Sequence, residues 1–229
     1  MNRFATVSLL VLAILIGGMP NAFADETRSR IRPLPAEEWS PEVRRLLGGT
    51  HERVAALEGT DAAAEPETLN ILRTLAHHPR LLGPFLGFAT ALAQQGTLSR
   101  RDSEMLALRA SWNCQSEFEW GHHVVYARAA GLSESEIARI PVGPDAPGWS
   151  AEDRSLLRAA DQLHAGQQID ETVWQALSSR YSEAQLVEIP FVVGQYTMLS
   201  MVANSTGVML EQDLDRLPPQ PGRADAESQ

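Results

Sequence analysis

Two residues one helical turn apart, Glu119 and His123 in "NCQSEFEWGHH", are the first in this chain whose types and spacing could do chemistry. On a helix they share a face. A carboxylate beside an imidazole sets its tautomer and basicity, which makes a general acid or base. Glu104 lies on the segment before, across a short break at "SWNCQ". An antiparallel pair of helices would bring it to the same face. Competing readings attach to the same letters. Ser116-x-x-Glu119 has the spacing of a capping box, in which the glutamate reaches back to the serine amide. By spacing alone that role is the first expectation. Glu119-x-x-His122 has the carboxylate and histidine spacing of helical di-iron sites, but those need two copies and the chain has one. His77-His78 sits beside Pro79 at a helix end. Cys114, just ahead of a helix start, is either a peroxide-reducing thiol or a small packed residue at an interhelix turn.

The elements that must position these groups read as helices throughout. Ser40-Pro41 is an N-cap followed by a first-turn proline, after an extended Pro-rich arm. Apolar residues recur at helical spacing from Glu67, with Pro79 and Pro84 marking a junction of two helices near "HHPRLLGP". Ser99, Ser116, Ser133 and Ser150 cap the next four helices, and Gly131 ends one of them. The segment "SEAQLVEIPFVVGQYTMLSMVANSTGV" is apolar nearly all round and reads as a buried helix. Its polar residues Gln195, Tyr196, Ser200 and Asn204 need partners or line a cavity. No alternating segment with hairpin turns occurs, so the expected fold class is all-α. Domain bounds follow: 1–24 an export signal, 25–66 an arm and first helix, 67–217 the helical domain, 218–229 a disordered tail.

The first 24 residues combine Arg3, an apolar run from Phe4 to Ile16, and Ala22-Phe23-Ala24 before Asp25. That is the pattern of a secretory signal cleaved after Ala24, which predicts a periplasmic or secreted protein with no membrane span after cleavage. The segment holds one arginine and no acid, so the net charge moves from −10 for the whole chain to −11 for the remainder. Such a surface argues against nucleic acid and anionic membranes as partners. All nineteen basic residues are arginine, which excludes lysine Schiff-base chemistry. With Cys114 as the single cysteine, neither an internal disulfide nor a dithiol cycle can form.

The run "LSRRDSEMLALRASWNCQSEFEWGHHVVYARAAGLSESEI" resembles the carboxymuconolactone decarboxylase family, within the wider alkylhydroperoxidase-D-like superfamily. The flanking "LRTLAHHPRLLGPFLGFATALAQQGTLS", "DRSLLRAADQLHAGQQIDETVWQAL" and "VVGQYTMLSMVANSTGV" look like the same family, so the resemblance spans Pro33 to Leu217. It implies an alkylhydroperoxidase-D-like helical bundle, a homo-oligomer (trimer or hexamer), and sites between helices near subunit contacts. The peroxidase branch carries a glutamate and then C-x-x-C-x-x-x-H. On this chain the glutamate matches Glu104 and the histidine matches His123, while the cysteine positions fall on Ser116 and Glu119. Cys114 lies two residues outside, so dithiol peroxidase activity is expected to be absent. The decarboxylase branch has a glutamate four residues before the histidine, as Glu119 stands to His123. The resemblance then implies cofactor-free, metal-free acid–base chemistry on a small lactone or carbonyl compound. Catalysis would fall to Glu104, Glu119 and His123, with His122, Trp120, Trp112, Tyr196 and Gln195 around the substrate. Two alternatives stand beside it: a single-thiol or metal-assisted antioxidant protein, and a non-catalytic ligand-binding helical oligomer.

Overall fold

The computed structural model describes residues 29–48 and 69–220. The signal segment, the connector from 49 to 68 and the tail from 221 lie outside the described residues, and with them the expectations for those stretches. Among the described residues the chain forms nine α-helices and no strand, as expected. They are α1 (Pro41–Leu47), α2 (Asn70–Leu75), α3 (Pro79–Gln95), α4 (Arg100–Asn113), α5 (Glu117–Ala129), α6 (Glu134–Ile137), α7 (Ala151–Gly166), α8 (Glu171–Ser178) and α9 (Glu183–Thr206).

Serine caps place the helix starts. The hydroxyls of Ser40, Ser99, Ser116, Ser133, Ser150 and Ser182 each accept an amide of the first turn. Gly131, at φ +90°, supplies the left-handed residue that turns the chain after α5. Pro79 opens α3, as the sequence suggests. Pro84, however, lies inside α3 and does not end it. It falls early in the helix, where few intrahelical amide bonds are at stake.

Helices α4, α5, α7 and α9 enclose the larger core, which includes Met105, Leu106, Leu108, Trp120, Val124, Leu156, Leu157, Ile189 and Val192. A smaller core gathers α1, α2 and the start of α3 around Phe118, Leu199 and Ala203. Ahead of α1 the chain makes a short 3-10 helix, Ala36–Glu38, flanked by extended Pro35 and Trp39. The amides of Arg30 and Ile31 donate to Thr206 O at 2.8 and 3.1 Å, and His77 Nε2 donates to Arg32 O at 3.0 Å. His77 is thereby an arm contact.

The last long helix corrects its reading. Although α9 is apolar nearly all round, it is not buried all round. Val187, Phe191, Met198 and Met201 are 58%, 53%, 44% and 63% exposed. They form one stripe, and Phe88 of α3 packs its ring 5.9 Å from that of Phe191.

A buried arginine joins α4 to α7. Arg109 donates to Asp161 at 2.6 and 2.9 Å and to the carbonyls of Ile140 and Pro141 at 2.7 and 3.1 Å. Removing it leaves Asp161 and two carbonyls without that donor. Arg109→Ala is therefore expected to lower unfolding free energy by about 3 kcal/mol, measurable by urea titration followed by circular dichroism.

Candidate active site

The α4–α5 corner decides what Glu119 can do. Cys114 caps the C-terminus of α4, Gln115 turns the chain at φ 52°, and Ser116 opens α5. The Ser116 amide donates back to Ser111 O at 3.0 Å. That leaves nothing for Glu119 to cap: Ser116 Oγ accepts the Glu119 amide at 3.5 Å, but the reciprocal arm of a capping box is not formed. The capping expectation for Glu119 is thus overturned. Its carboxyl turns inward instead, only 3% exposed.

The corner makes α4 and α5 neighbours, and Glu104 and His123 meet between them. His123 Nδ1 lies 2.6 Å from Glu104 Oε2, with both residues buried. The other Glu104 oxygen faces Arg100 Nη2 at 2.7 Å, one turn earlier on α4. With Arg100 donating to one oxygen, the other Glu104 oxygen serves as acceptor and His123 Nδ1 as donor. Its Nε2 then points at Glu119 Oε2 from 3.7 Å. That gap is longer than a hydrogen bond. Tyr196 of α9 closes one side, its ring edge-on to His123 at 4.1 Å, and Tyr126 lies at 5.2 Å. Burial pushes the Tyr196 phenol well above its usual range, and the charges of Glu104 and Glu119 push it further.

Glu119 is the unusual group. Its Oε1 is buried and has no hydrogen-bond partner. Burial, and next the negative charge of Glu211, push its acid up to about 8 from the ordinary 4.5. At neutral pH it holds a proton.

His122, the neighbouring histidine, belongs to a second pair. Its Nε2 lies 2.7 Å from Glu211 Oε2, in the segment after α9. Glu211 Oε1 accepts the Asn70 amide at 2.8 Å. Burial works to raise the Glu211 acid, but the hydrogen bond and charge of His122 and the Asn70 amide outweigh it and hold the acid low.

The remaining expected residues are dispersed. Trp112 and Trp120 sit edge to face at 6.2 Å inside the larger core. Gln195 is buried with Oε1 unpartnered, and it also lines a groove of about 310 Å³ between α3 and α9, with Phe88, Phe191 and Met198. Asn204 is exposed and donates to Cys114 O at 3.0 Å. Cys114 does not behave as a helix-start thiol. It is a helix C-cap, and burial and the Glu119 charge push its thiol up, against the lowering effect of the Thr197 and Ser200 hydroxyls. Its Sγ lies 3.7 Å from Nδ1 of His164, an exposed residue the motif reading omits. Among the described residues no group of three histidine, cysteine or carboxylate side chains is arranged to hold a metal ion.

Glu211 and Arg100 are the groups that sequence reasoning misses. Arg100 had a signal, its i, i+4 spacing to Glu104. Glu211 had none, lying 89 positions from His122.

Residues 79–162 match the carboxymuconolactone decarboxylase family. No curated protein matches the chain. Among solved structures, an uncharacterised peroxidase-related protein from Silicibacter sp. is 19% identical with TM-score 0.67, over 84% of this chain and 96% of that one. An alkylhydroperoxidase AhpD core protein from Ralstonia eutropha is 18% identical with TM-score 0.64, over 80% and 94%. The debrominase Bmp8, solved with 2,3,4-tribromopyrrole, is 14% identical with TM-score 0.63, over 82% and 95%. These likenesses are of fold.

The Glu119 proton has a consequence for stability. Above the ordinary value of 4.5 the unfolded chain releases it, while the folded chain keeps it to about 8. The stability this group contributes is therefore full below 4.5 and declines as pH rises toward 8. Glu119→Gln is expected to flatten that decline and to leave the variant more stable than the parent above pH 8, in urea unfolding across the range.

Proposed function

We propose that this chain, of which residues 79–162 match the carboxymuconolactone decarboxylase family, is a cofactor-independent enzyme of that family. It carries out acid–base chemistry on a small lactone or carbonyl compound, by decarboxylation, isomerisation or a related lyase step. The observation that carries the reading is the buried Glu119 carboxyl, its Oε1 without a partner and its Oε2 3.7 Å from His123 Nε2, with burial pushing its acid up to about 8.

In this reading each group has one task. Glu104, fixed by Arg100, holds the His123 ring and its tautomer. His123 Nε2 is then a lone-pair base aimed into the gap. Glu119 stores a proton and delivers it to carbon as negative charge develops on the substrate. Tyr196 shields the imidazole on one side. The Bmp8 complex holds a small planar ring in the same fold, which supports a compact cyclic substrate here. The thiol alternative has less support: Cys114 has no second cysteine, and its surroundings favour the neutral thiol.

We further propose that the protein is exported and that it self-associates through the α3–α9 face. Val187, Phe191, Met198 and Met201 of α9 and Leu81 and Phe88 of α3 are all large apolar side chains left exposed on these two helices. The chain carries net charge −10, so a charge-free stripe is where two copies meet with least repulsion.

Two experiments test these readings. Against a panel of small unsaturated lactones and keto acids, Glu119→Gln and His123→Ala are each expected to cut kcat about 100- to 10,000-fold. Full turnover in either variant refutes the assigned roles. In sedimentation velocity the parent is expected above monomer mass and Phe191→Asp at monomer mass. An unchanged distribution removes this face as the contact.

A further inference from the structure

Beyond the Glu104–His123 pair, α5 carries a second carboxylate–imidazole pair that the proposed chemistry does not use. Glu211 accepts the Asn70 amide through Oε1, so its Oε2 faces His122 as part of a carboxylate. An oxygen without a proton 2.7 Å from Nε2 requires the ring hydrogen at Nε2. The opposite nitrogen, Nδ1, is buried with no partner. With the ring hydrogen at Nε2 engaged by Glu211, Nδ1 is the nitrogen left open.

The ring is also held sterically. Phe118 packs against it at 4.6 Å between centroids. The segment carrying Glu211 is strapped onto α2 and α5: Asn70 Nδ2 of α2 donates to Met209 O at 3.1 Å, and Arg128 of α5 pairs with Asp215 at 2.5 Å. Gly121 lets that strap approach, since a Cβ there would stand 2.6 Å from Leu210 and 3.0 Å from Asp215 O.

Glu119 and His122 are three apart on α5 and so lie on adjoining positions of one face. Each offers an unpartnered buried atom, Oε1 of Glu119 and Nδ1 of His122. We infer that His122, oriented by Glu211, is a second base working with Glu119, and that the site shifts a double bond in a small enolisable carbonyl compound. This rests on the acid–base reading above and narrows its reaction class to isomerisation.

The step balances without a co-reactant. His122 Nδ1 takes a proton from the carbon between the carbonyl and a β,γ double bond. The C–H electron pair becomes the new α,β double bond, and the displaced π electrons take up the Glu119 proton at the γ-carbon. What remains is an imidazolium and a carboxylate one turn apart, and return of the proton from His122 to Glu119 restores the resting site. His122 is the catalytic residue of this step and Glu211 a positioning residue.

The test has two arms. In long-range 15N–1H spectra at neutral pH, the parent is expected to show His122 with hydrogen on Nε2 and a bare Nδ1. Glu211→Gln should mix the tautomers while leaving the His123 signals in place. With cyclohex-3-enone as probe, the parent is expected to form the conjugated enone, seen by ultraviolet absorbance. His122→Gln should slow this about 100-fold or more, and Glu211→Gln about 10-fold, with unfolding midpoints showing that the variants are folded. A hydrogen on Nδ1 in the parent, or a parent that leaves the probe unchanged, overturns the inference. So does a His122→Gln variant at parental rate. If that variant is fully active while Glu119→Gln is dead, the inference falls and the acid–base reading stands.

Discussion

A carboxyl group buried without a hydrogen-bond partner is the constraint on which this site depends. An ionised Glu119 at 3% exposure would be a desolvated charge facing the carboxylate of Glu211. The cheaper solution is to keep its proton. Everything useful about the site follows from that choice. A neutral acid stands beside two imidazoles, each anchored at its far nitrogen by a carboxylate. Nδ1 of His122 and Oε1 of Glu119 are then left without a partner.

The backbone enforces the arrangement at one corner. Gln115 at φ 52° and the Ser116 amide bonded to Ser111 O close the turn without drawing on the Glu119 side chain. Had Glu119 completed a capping box, its carboxyl would have pointed at the helix start, solvated and acidic at ordinary pH. The same turn folds α5 back onto α4, which puts Glu104 within 2.6 Å of His123 across nineteen positions. Local geometry and site chemistry are thus one fact seen at two scales.

Much of this was legible in the residues. Serine caps, Gly131 and the absence of alternating segments indicated the helices, because those signals act within a few positions. Glu104, Glu119 and His123 were legible because i, i+4 spacing and a short interhelix break are local properties too. The resemblance indicated the fold on the same run. Glu211 was not legible: its tie to His122 depends on how the chain after α9 returns across α5, which no local pattern encodes. The inward turn of Glu119 was hidden for a different reason. Its sequence spacing fitted two roles with capping the first expectation, and only the competing bond from Ser116 to Ser111 removes that one. Helix α9 was misjudged because an all-round apolar surface does not distinguish a helix buried in its own domain from one exposing a stripe.

The charge balance of the site also bears on what enters it. The Glu211 acid is held low, and Arg100, its side chain 37% exposed, is the cation paired directly with Glu104. A substrate carboxylate would add a further negative charge in a region that already forces Glu119 to stay neutral. A neutral carbonyl compound meets no such penalty. In the proposed chemistry, the negative charge of a developing enolate is discharged by the Glu119 proton. The electrostatics therefore favour chemistry that creates negative charge transiently on a neutral molecule over chemistry that begins from an anion. Loss of carbon dioxide starts from a carboxylate, whereas migration of a double bond does not. The same buried acid that makes α5 a proton donor thus sets the sign of the molecule it can serve.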